Sequence, residues 1–180
     1  FMNNNFETIL IVFKNPRWPQ EFIVKKFSHR YIVETIFVSN LIEKNNREII
    51  TFINNTIKNK NISTIIFEGD HISILNFDFI NSIKGVKKGL LLYDDFMYHD
   101  VNILTARSCD FVLTACPHSS LKFNKKGYKS IFIPMEADGD IFKKYDSIEK
   151  NIDVLFFGDI NNYRKSYVDY IKNSGIKLKC

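Results

Sequence analysis

The chain has 180 residues, a formal net charge of +5 and a composition that is 45% hydrophobic and 14% aromatic, which predicts a globular chain of one domain or of one domain and part of a second. Because the lysines are scattered, the positive charge does not predict a nucleic-acid partner. The three cysteines, Cys109, Cys116 and Cys180, are odd in number and form no CxxC pair, which argues against a disulfide framework and a zinc site. With no secretory signal and no apolar run of about 18 residues, these features predict a cytoplasmic protein.

Short apolar runs alternate with longer amphipathic segments along most of the chain. Runs such as 8–13 are rich in β-branched residues and predict strands that are buried on both faces. Strand–helix repeats of this length predict right-handed crossovers, and therefore a Rossmann-like α/β fold with helices on both faces of a parallel sheet. The predicted strands are 8–13, 31–38, 63–67, 89–93, 111–115 and 130–133. The predicted helices are 20–29, 39–58, one ending at 83, 101–108 and one from 117 to about 127.

Two of these helices carry specific start signals. Ser39 is predicted as the N-cap of the second helix, since serine side chains accept bonds from the first amides of a helix. Pro117 is suited to the first turn of the fifth, where its missing N–H costs nothing. The apolar spacing of the second helix predicts an inner face formed by Leu41, Ile42, Ile49, Phe52, Ile53 and Ile57.

A second unit is predicted after residue 150. Residues 1–135 have the strand–helix rhythm of one Rossmann-like domain, and 136–150 is polar and acidic and is predicted to be a linker. Residues 151–180 then predict a strand at 153–157, a helix at 163–173 and a strand at 176–178. One βαβ unit cannot form a domain alone, so these residues are interpreted as the beginning of a second Rossmann-like domain that continues beyond them.

Polar residues follow several of the predicted strands. In GLLLYDDFMYHD, an apolar strand stops at the adjacent carboxylates Asp94 and Asp95. The carboxyl ends of parallel strands meet at one edge of the sheet, where ligands bind and helix N-termini point. We therefore expect a site at this edge, although an aspartate at a strand end can equally be a helix cap. The other candidates at the edge are Arg17, Glu68, His71, His118 and Glu136.

Several common site motifs are absent. No GxGxxG follows the first strand, and neither GxxxxGK[ST] nor GxSxG occurs. The sequence therefore argues against dinucleotide binding at that turn, a P-loop NTPase and an α/β-hydrolase. The acid pair alone lacks the further ligands that a metal site needs, so no metal is predicted.

Two longer segments resemble GT-B fold glycosyltransferases. CDFVLTACPHSSLKFNKKGYKSIFIPMEADGDIFKK resembles the end of their N-terminal domain, and IDVLFFGDINNYRKSYVDYIKNSGIKLK resembles the start of their C-terminal domain. LLYDDFMYHD is similar to the strand-end acid pair of the group-1-like glycosyltransferases related to spore-maturation proteins. The resemblance covers most of the chain, but its motifs are apolar patterns around a few Asp, Gly, Pro and Arg residues.

The resemblance implies transfer of a sugar from a nucleotide-sugar donor to a hydroxyl acceptor, with no cofactor and no bound metal. In such enzymes the N-terminal domain shapes the acceptor side, which implies acceptor contacts for Arg17, Glu68, His118 and Glu136. The C-terminal domain holds the donor, and Gly158 and Arg164 match positions that would contact its phosphates. The carboxylate that usually binds the donor has no counterpart before Cys180, so this 180-residue piece by itself is expected to be inactive.

The proton acceptor of such a reaction is left open by the sequence. Histidine suits proton uptake near neutral pH, which favours His71. A carboxylate beside a second one retains a proton more readily than an isolated one, which favours Asp95 or its neighbour Asp94. Two other interpretations compete. The same edge could bind a nucleotide, a sugar or a protein without catalysis, and the first helices could contact a membrane surface peripherally through Trp18, Phe22 and Phe27, residues that are also typical of a core.

Overall fold

A computed structural model describes residues 6–16, 18–41, 43–69, 77–134, 151–156, 158 and 160–180. The chain divides into two compact units, Phe1–Glu136 and Ala137–Cys180. The predicted linker, 136–150, lies outside the described residues, so its limits stay a prediction.

The first unit is built on one sheet of six parallel strands in the order β2-β1-β3-β4-β5-β6. This arrangement confirms the predicted Rossmann-like α/β fold. The strands are β1 (Thr8–Phe13), β2 (Ile32–Phe37), β3 (Ile62–Glu68), β4 (Lys87–Leu92), β5 (Phe111–Thr114) and β6 (Ser130–Phe132).

Helices cover both faces of this sheet. On one face, Ile23 and Phe27 of the first helix pack against Ile9, Ile11 and other strand residues. On the other face, the remaining helices pack against the alternate strand positions, which include Leu10 and Leu90. Burial on both faces explains why β1 is apolar after its first residue. The helices are α1 (Trp18–Ser28), α2 (Asn46–Asn59), α3 (Phe77–Ser82), α4 (Asp95–Ala106) and α5 (Pro117–Lys125).

The start of α2 differs from the prediction. Ser39 lies in a short 3₁₀ turn, Val38–Leu41, and the N-cap of α2 is Asn45. The Asn45 side chain accepts a hydrogen bond from the Glu48 amide (3.0 Å), and the Glu48 carboxylate accepts one from the Asn45 amide (2.8 Å). This reciprocal capping box satisfies two amides at once, which a single serine cap does not. Phe52, predicted on the inner face, is 42% exposed, whereas Ile49 and Ile53 are buried as predicted.

The start of α4 also differs. It begins at Asp95 rather than at Val101, so the segment that follows the acid pair is helical. The backbone of Tyr98, with φ −124° and ψ 18°, interrupts the helix after its first turn. Pro117, in contrast, occupies the first turn of α5 as predicted.

Gly89 is required by packing inside β4. A Cβ atom at this position would lie 2.4 Å from the ring of Phe111, its partner on β5. The ring therefore occupies the space that a side chain on β4 would need. This close approach explains a glycine in a central strand, where glycine is otherwise unfavourable.

In its described residues, the second unit contains one parallel βαβ arrangement. Strands β7 (Val154–Leu155) and β8 (Leu178–Lys179) pair in parallel, and α6 (Asn162–Asn173) connects them. Asn161 caps α6 by accepting a hydrogen bond from the Arg164 amide (2.9 Å), and Val168 is the buried residue on the helix. Within the described ranges of both units, no helix is long and apolar enough to cross a membrane.

Candidate functional site at the carboxyl edge of the sheet

The site is positioned by the strand order of the first unit. Because all six strands are parallel, their carboxyl ends meet at one edge of the sheet. The direction of winding reverses between β1 and β3, and open α/β sheets bind ligands at such a switch point. The polar groups that the structure describes at this edge follow β1, β3, β4 and β5.

Glu68, at the end of β3, is 7% exposed and is surrounded by donors from the protein. One carboxylate oxygen accepts a hydrogen bond from the backbone amide of Lys14 (2.8 Å). The buried side-chain amide of Gln20 lies 3.1 and 3.2 Å from the two oxygens. Glu68 therefore ties the loop after β1 and the start of α1 to β3. The substrate contact predicted for Glu68 would require these donors to be displaced.

Asp95, in the first turn of α4, is completely buried. One carboxylate oxygen lies 2.7 Å from His99 Nδ1, and the other accepts a hydrogen bond from Asn102 Nδ2 (2.9 Å). Which of the two groups donates in the contact between His99 and Asp95 depends on the tautomer of His99. Asp95 is thus held by one partner a single turn along α4 and by another almost two turns along.

His99 lies between α4 and α5. Its side chain is 13% exposed, and its ring lies 4.9 Å from the ring of the buried Phe123. The other ring nitrogen, Nε2, is buried and has no hydrogen-bond partner among the described residues. The hydrogen-bonding role of Nε2 depends on the tautomer of the ring, as does that of Nδ1.

Asp94 has the opposite environment from its neighbour. It is exposed and occupies the N-cap position of α4, but its φ of −110° and ψ of 38° are not those of a usual cap. Its side chain makes no capping hydrogen bond to the helix. The acid pair is therefore divided, with one carboxylate facing solvent at the end of β4 and the other facing the interior.

Cys116 lies beyond the end of β5, at the N-cap of α5, and is half-buried. Hydrogen bonds from the Ser119 hydroxyl, the Ser119 amide and the His118 amide lower the pKa of its thiol, while partial burial and the charge of Asp95 oppose this. The His118 side chain is exposed, and the substrate contact predicted for it stays a prediction. Cys109 differs, because burial raises the pKa of its thiol to about 12.

The predicted donor residues are close together in the second unit. Gly158 has a φ of 146°, a conformation that favours glycine, and a Cβ atom there would lie 3.6 Å from Arg164 Nη1. Both residues are exposed. A distance of 3.6 Å is an ordinary contact, so the backbone conformation and not the space explains the glycine, and the neighbouring guanidinium is a group that can donate to an anion.

Three predicted site residues, Arg17, His71 and Glu136, lie outside the described residues, and their roles stay predictions. Across the described ranges, no group of three or more His, Cys, Asp and Glu side chains could hold a metal ion.

Gln20, His99 and Asn102 were not predicted as site residues. The spacing of Asp95, His99 and Asn102 would have placed all three on one side of a helix, had the helix been predicted to begin at Asp95. No local signal links Gln20 to Glu68, since 48 residues separate them.

Comparisons with known proteins assign no family. No protein-family model and no curated protein matches the chain. A solved structure that is similar is that of a putative UDP-N-acetylglucosamine 2-epimerase from Listeria monocytogenes, with a TM-score of 0.48 and 11% sequence identity. The match covers 69% of this chain and 42% of that chain, so this chain spans less than half of that protein. A likeness at this level does not identify an activity.

Proposed function

We propose that this chain belongs to a glycosyltransferase, which transfers a sugar from a nucleotide-sugar donor to a hydroxyl acceptor. The observation that carries the proposal is the divided acid pair at the carboxyl end of β4, on the sheet edge where folds of this class bind ligands. The resemblance of residues 109–144 and 152–179 to the interdomain region of GT-B enzymes supports the same proposal.

The chemistry requires three contributions from the protein. The acceptor hydroxyl must be aligned with the anomeric carbon, a base must take its proton if the configuration inverts, and the charge of the leaving diphosphate must be stabilised. The proposal places the acceptor and the base at the edge of the first unit. It assigns the diphosphate to Gly158, Arg164 and the N-terminus of α6, where backbone amides and a guanidinium can contact phosphate oxygens.

The donor is tested by ligand-dependent stability. A nucleoside diphosphate or its sugar at about 100 times its dissociation constant should stabilise the intact protein by roughly 2.7 kcal/mol. The measurement is a thermal-shift series over the common nucleoside diphosphates and their sugars. Arg164→Ala should abolish the shift, and Lys172→Ala, an exposed change in the last turn of the same helix, should leave it intact. The absence of a shift with every nucleotide would contradict the proposal.

A second candidate is a non-catalytic module that binds a nucleotide or a sugar at the same edge. It is favoured by the internal hydrogen bonds of Glu68 and Asp95, which occupy two of the carboxylates at the edge. The two candidates differ in turnover. A transferase releases nucleoside diphosphate from a bound nucleotide sugar when a hydroxyl acceptor is added, and a binding module returns the nucleotide sugar unchanged.

A further inference from the structure

The two members of the acid pair differ in what holds them. Asp95 is enclosed by protein and bonded through both oxygens, whereas Asp94 faces solvent and does not cap the helix that it precedes. A fully buried carboxylate that is bonded in this way cannot contact a substrate. If the pair serves the reaction, the two residues must therefore do different things.

The interruption of α4 lies between Asp95 and its two hydrogen-bond partners. The non-helical backbone of Tyr98 separates the first turn of α4 from the rest of the helix. Asp95 lies before the interruption, and His99 and Asn102 lie after it. The two side-chain contacts, 2.7 and 2.9 Å long, therefore join the two segments of α4 across the non-helical backbone of Tyr98.

The joined segments are also held against a neighbouring helix. The ring of His99 packs against Phe123, which is fully buried on the inner face of α5. The first turn of α4 is thus connected through Asp95 and His99 to the core between α4 and α5. On its other side Asp94 is connected to the end of β4, because only Tyr93 separates it from Leu92. The Asp94 backbone is therefore constrained on its N-terminal side by β4 and on its C-terminal side by the first turn of α4.

We propose that Asp95, His99 and Asn102 are positioning residues that hold Asp94 as the proton acceptor for the sugar-acceptor hydroxyl. This inference depends on the proposed transferase function. As the acceptor oxygen bonds to the anomeric carbon, its proton passes to an Asp94 carboxylate oxygen. The bond from the anomeric carbon to the donor phosphate oxygen breaks, and its electron pair leaves with the diphosphate. Asp95 contacts neither substrate and acts through the position of Asp94.

The first test measures turnover in the intact protein. Asp94→Asn should lower kcat by about 100-fold or more, the range that a lost general base produces, and should remove the acidic limb of the kcat/KM pH profile. Asn102→Ala should lower kcat by roughly tenfold, the size expected when a reacting group is slightly misplaced, and should keep that limb. Asp100→Asn, an exposed change on the same helix, is the matched control and should leave the rate unchanged.

The second test measures the position of the first turn without any substrate. Asn102→Ala and His99→Gln should increase amide hydrogen exchange of residues 94–98, while Asp94→Asn and Asp100→Asn should not. A change of Asp95 itself, such as Asp95→Asn, would disturb both contacts at once and could prevent folding. Asn102→Ala removes only one of the two contacts and therefore avoids that problem. Unchanged exchange in both positioning variants would overturn the positioning role.

The outcomes separate this inference from the proposed function. If the wild-type protein transfers sugar and Asp94→Asn keeps the full rate, the role of Asp94 is overturned and the transferase stands. If the wild-type protein transfers no sugar from any bound nucleotide sugar, the transferase is overturned, and the role of Asp94 as base falls with it. The exchange measurement then still decides whether His99 and Asn102 hold the turn.

Discussion

Two buried carboxylates lie at the carboxyl edge of one sheet, and they are held in different ways. Glu68 binds donors that are 54 and 48 residues away in the chain, the amide of Lys14 and the side chain of Gln20. Asp95 binds His99 and Asn102, which are four and seven residues further along its own helix. The first carboxylate joins separate elements of the fold, and the second shapes one helix.

The partners also differ in kind. In the contacts that the structure describes, Glu68 accepts hydrogen bonds from a backbone amide and from a side-chain amide. Asp95 is bonded by a histidine whose second nitrogen is buried and without a partner in the described ranges. Glu68 thus links the loop after β1 and the start of α1 to β3, whereas Asp95 links residues within one helix.

Removing Glu68 should have the largest effect on stability. Glu68→Ala removes the carboxylate that accepts hydrogen bonds from the Lys14 amide and the buried Gln20 side chain, which should lower the free energy of unfolding by about 3 kcal/mol. Urea denaturation of the wild-type and variant proteins measures the difference. Adding Gln20→Ala to the Glu68 variant should cost less than Gln20→Ala costs alone, and additive effects of the two changes would contradict the direct coupling.

Asp95→Asn should have a smaller effect, about 2 kcal/mol, since the amide can still accept one of the two bonds. The same denaturation measurement applies. Because the partners lie on the same helix, the change should disturb the first turn of α4 and leave the loop after β1 unaffected. A comparable rise in amide exchange at residues 14–16 would mean that the two carboxylates are not independent.

The two cysteines near these helices should differ in alkylation rate by at least about tenfold at pH 8. The lowered pKa of Cys116 keeps its thiolate present at lower pH than in an ordinary thiol, so its rate declines only as the pH falls through that lowered value. Cys109, whose pKa is about 12, forms thiolate only well above pH 9. Iodoacetamide labelling followed by peptide mass spectrometry measures both rates, with Cys180 as the exposed reference. Equal labelling of Cys109 and Cys116 would contradict these environments.

The smallest effect is expected at an exposed carboxylate. Glu34 on β2 pairs with Lys60 at 2.7 Å, but both side chains are substantially exposed. Glu34→Gln should change the free energy of unfolding by less than about 0.5 kcal/mol, because solvent screens such pairs. A decrease in the free energy of unfolding as large as that caused by Glu68→Ala would contradict burial as the cause of the difference between Glu68 and Glu34.

Much of the fold could be predicted from local patterns. Short apolar runs rich in β-branched residues predicted the strands, because buried parallel strands need apolar residues on both faces. Pro117 indicated the start of α5. The capping box formed by Asn45 and Glu48 was also present in the sequence, although Ser39 was predicted instead. The parallel arrangement of the strands also predicted that the acid pair would lie at the carboxyl edge.

The sequence by itself determined most of the strands and helices, since these follow from local patterns, and their alternation predicted a parallel sheet with polar residues at one edge. Only the tertiary structure decided which carboxylate faces inward. Glu68 is buried because Gln20 and Lys14 reach it from another part of the fold, and Asp95 is buried because α4 begins at that residue and packs against α5. Desolvation depends on every element that covers a group, so the thiols of Cys109 and Cys116 also acquired opposite chemistry although only six residues lie between them.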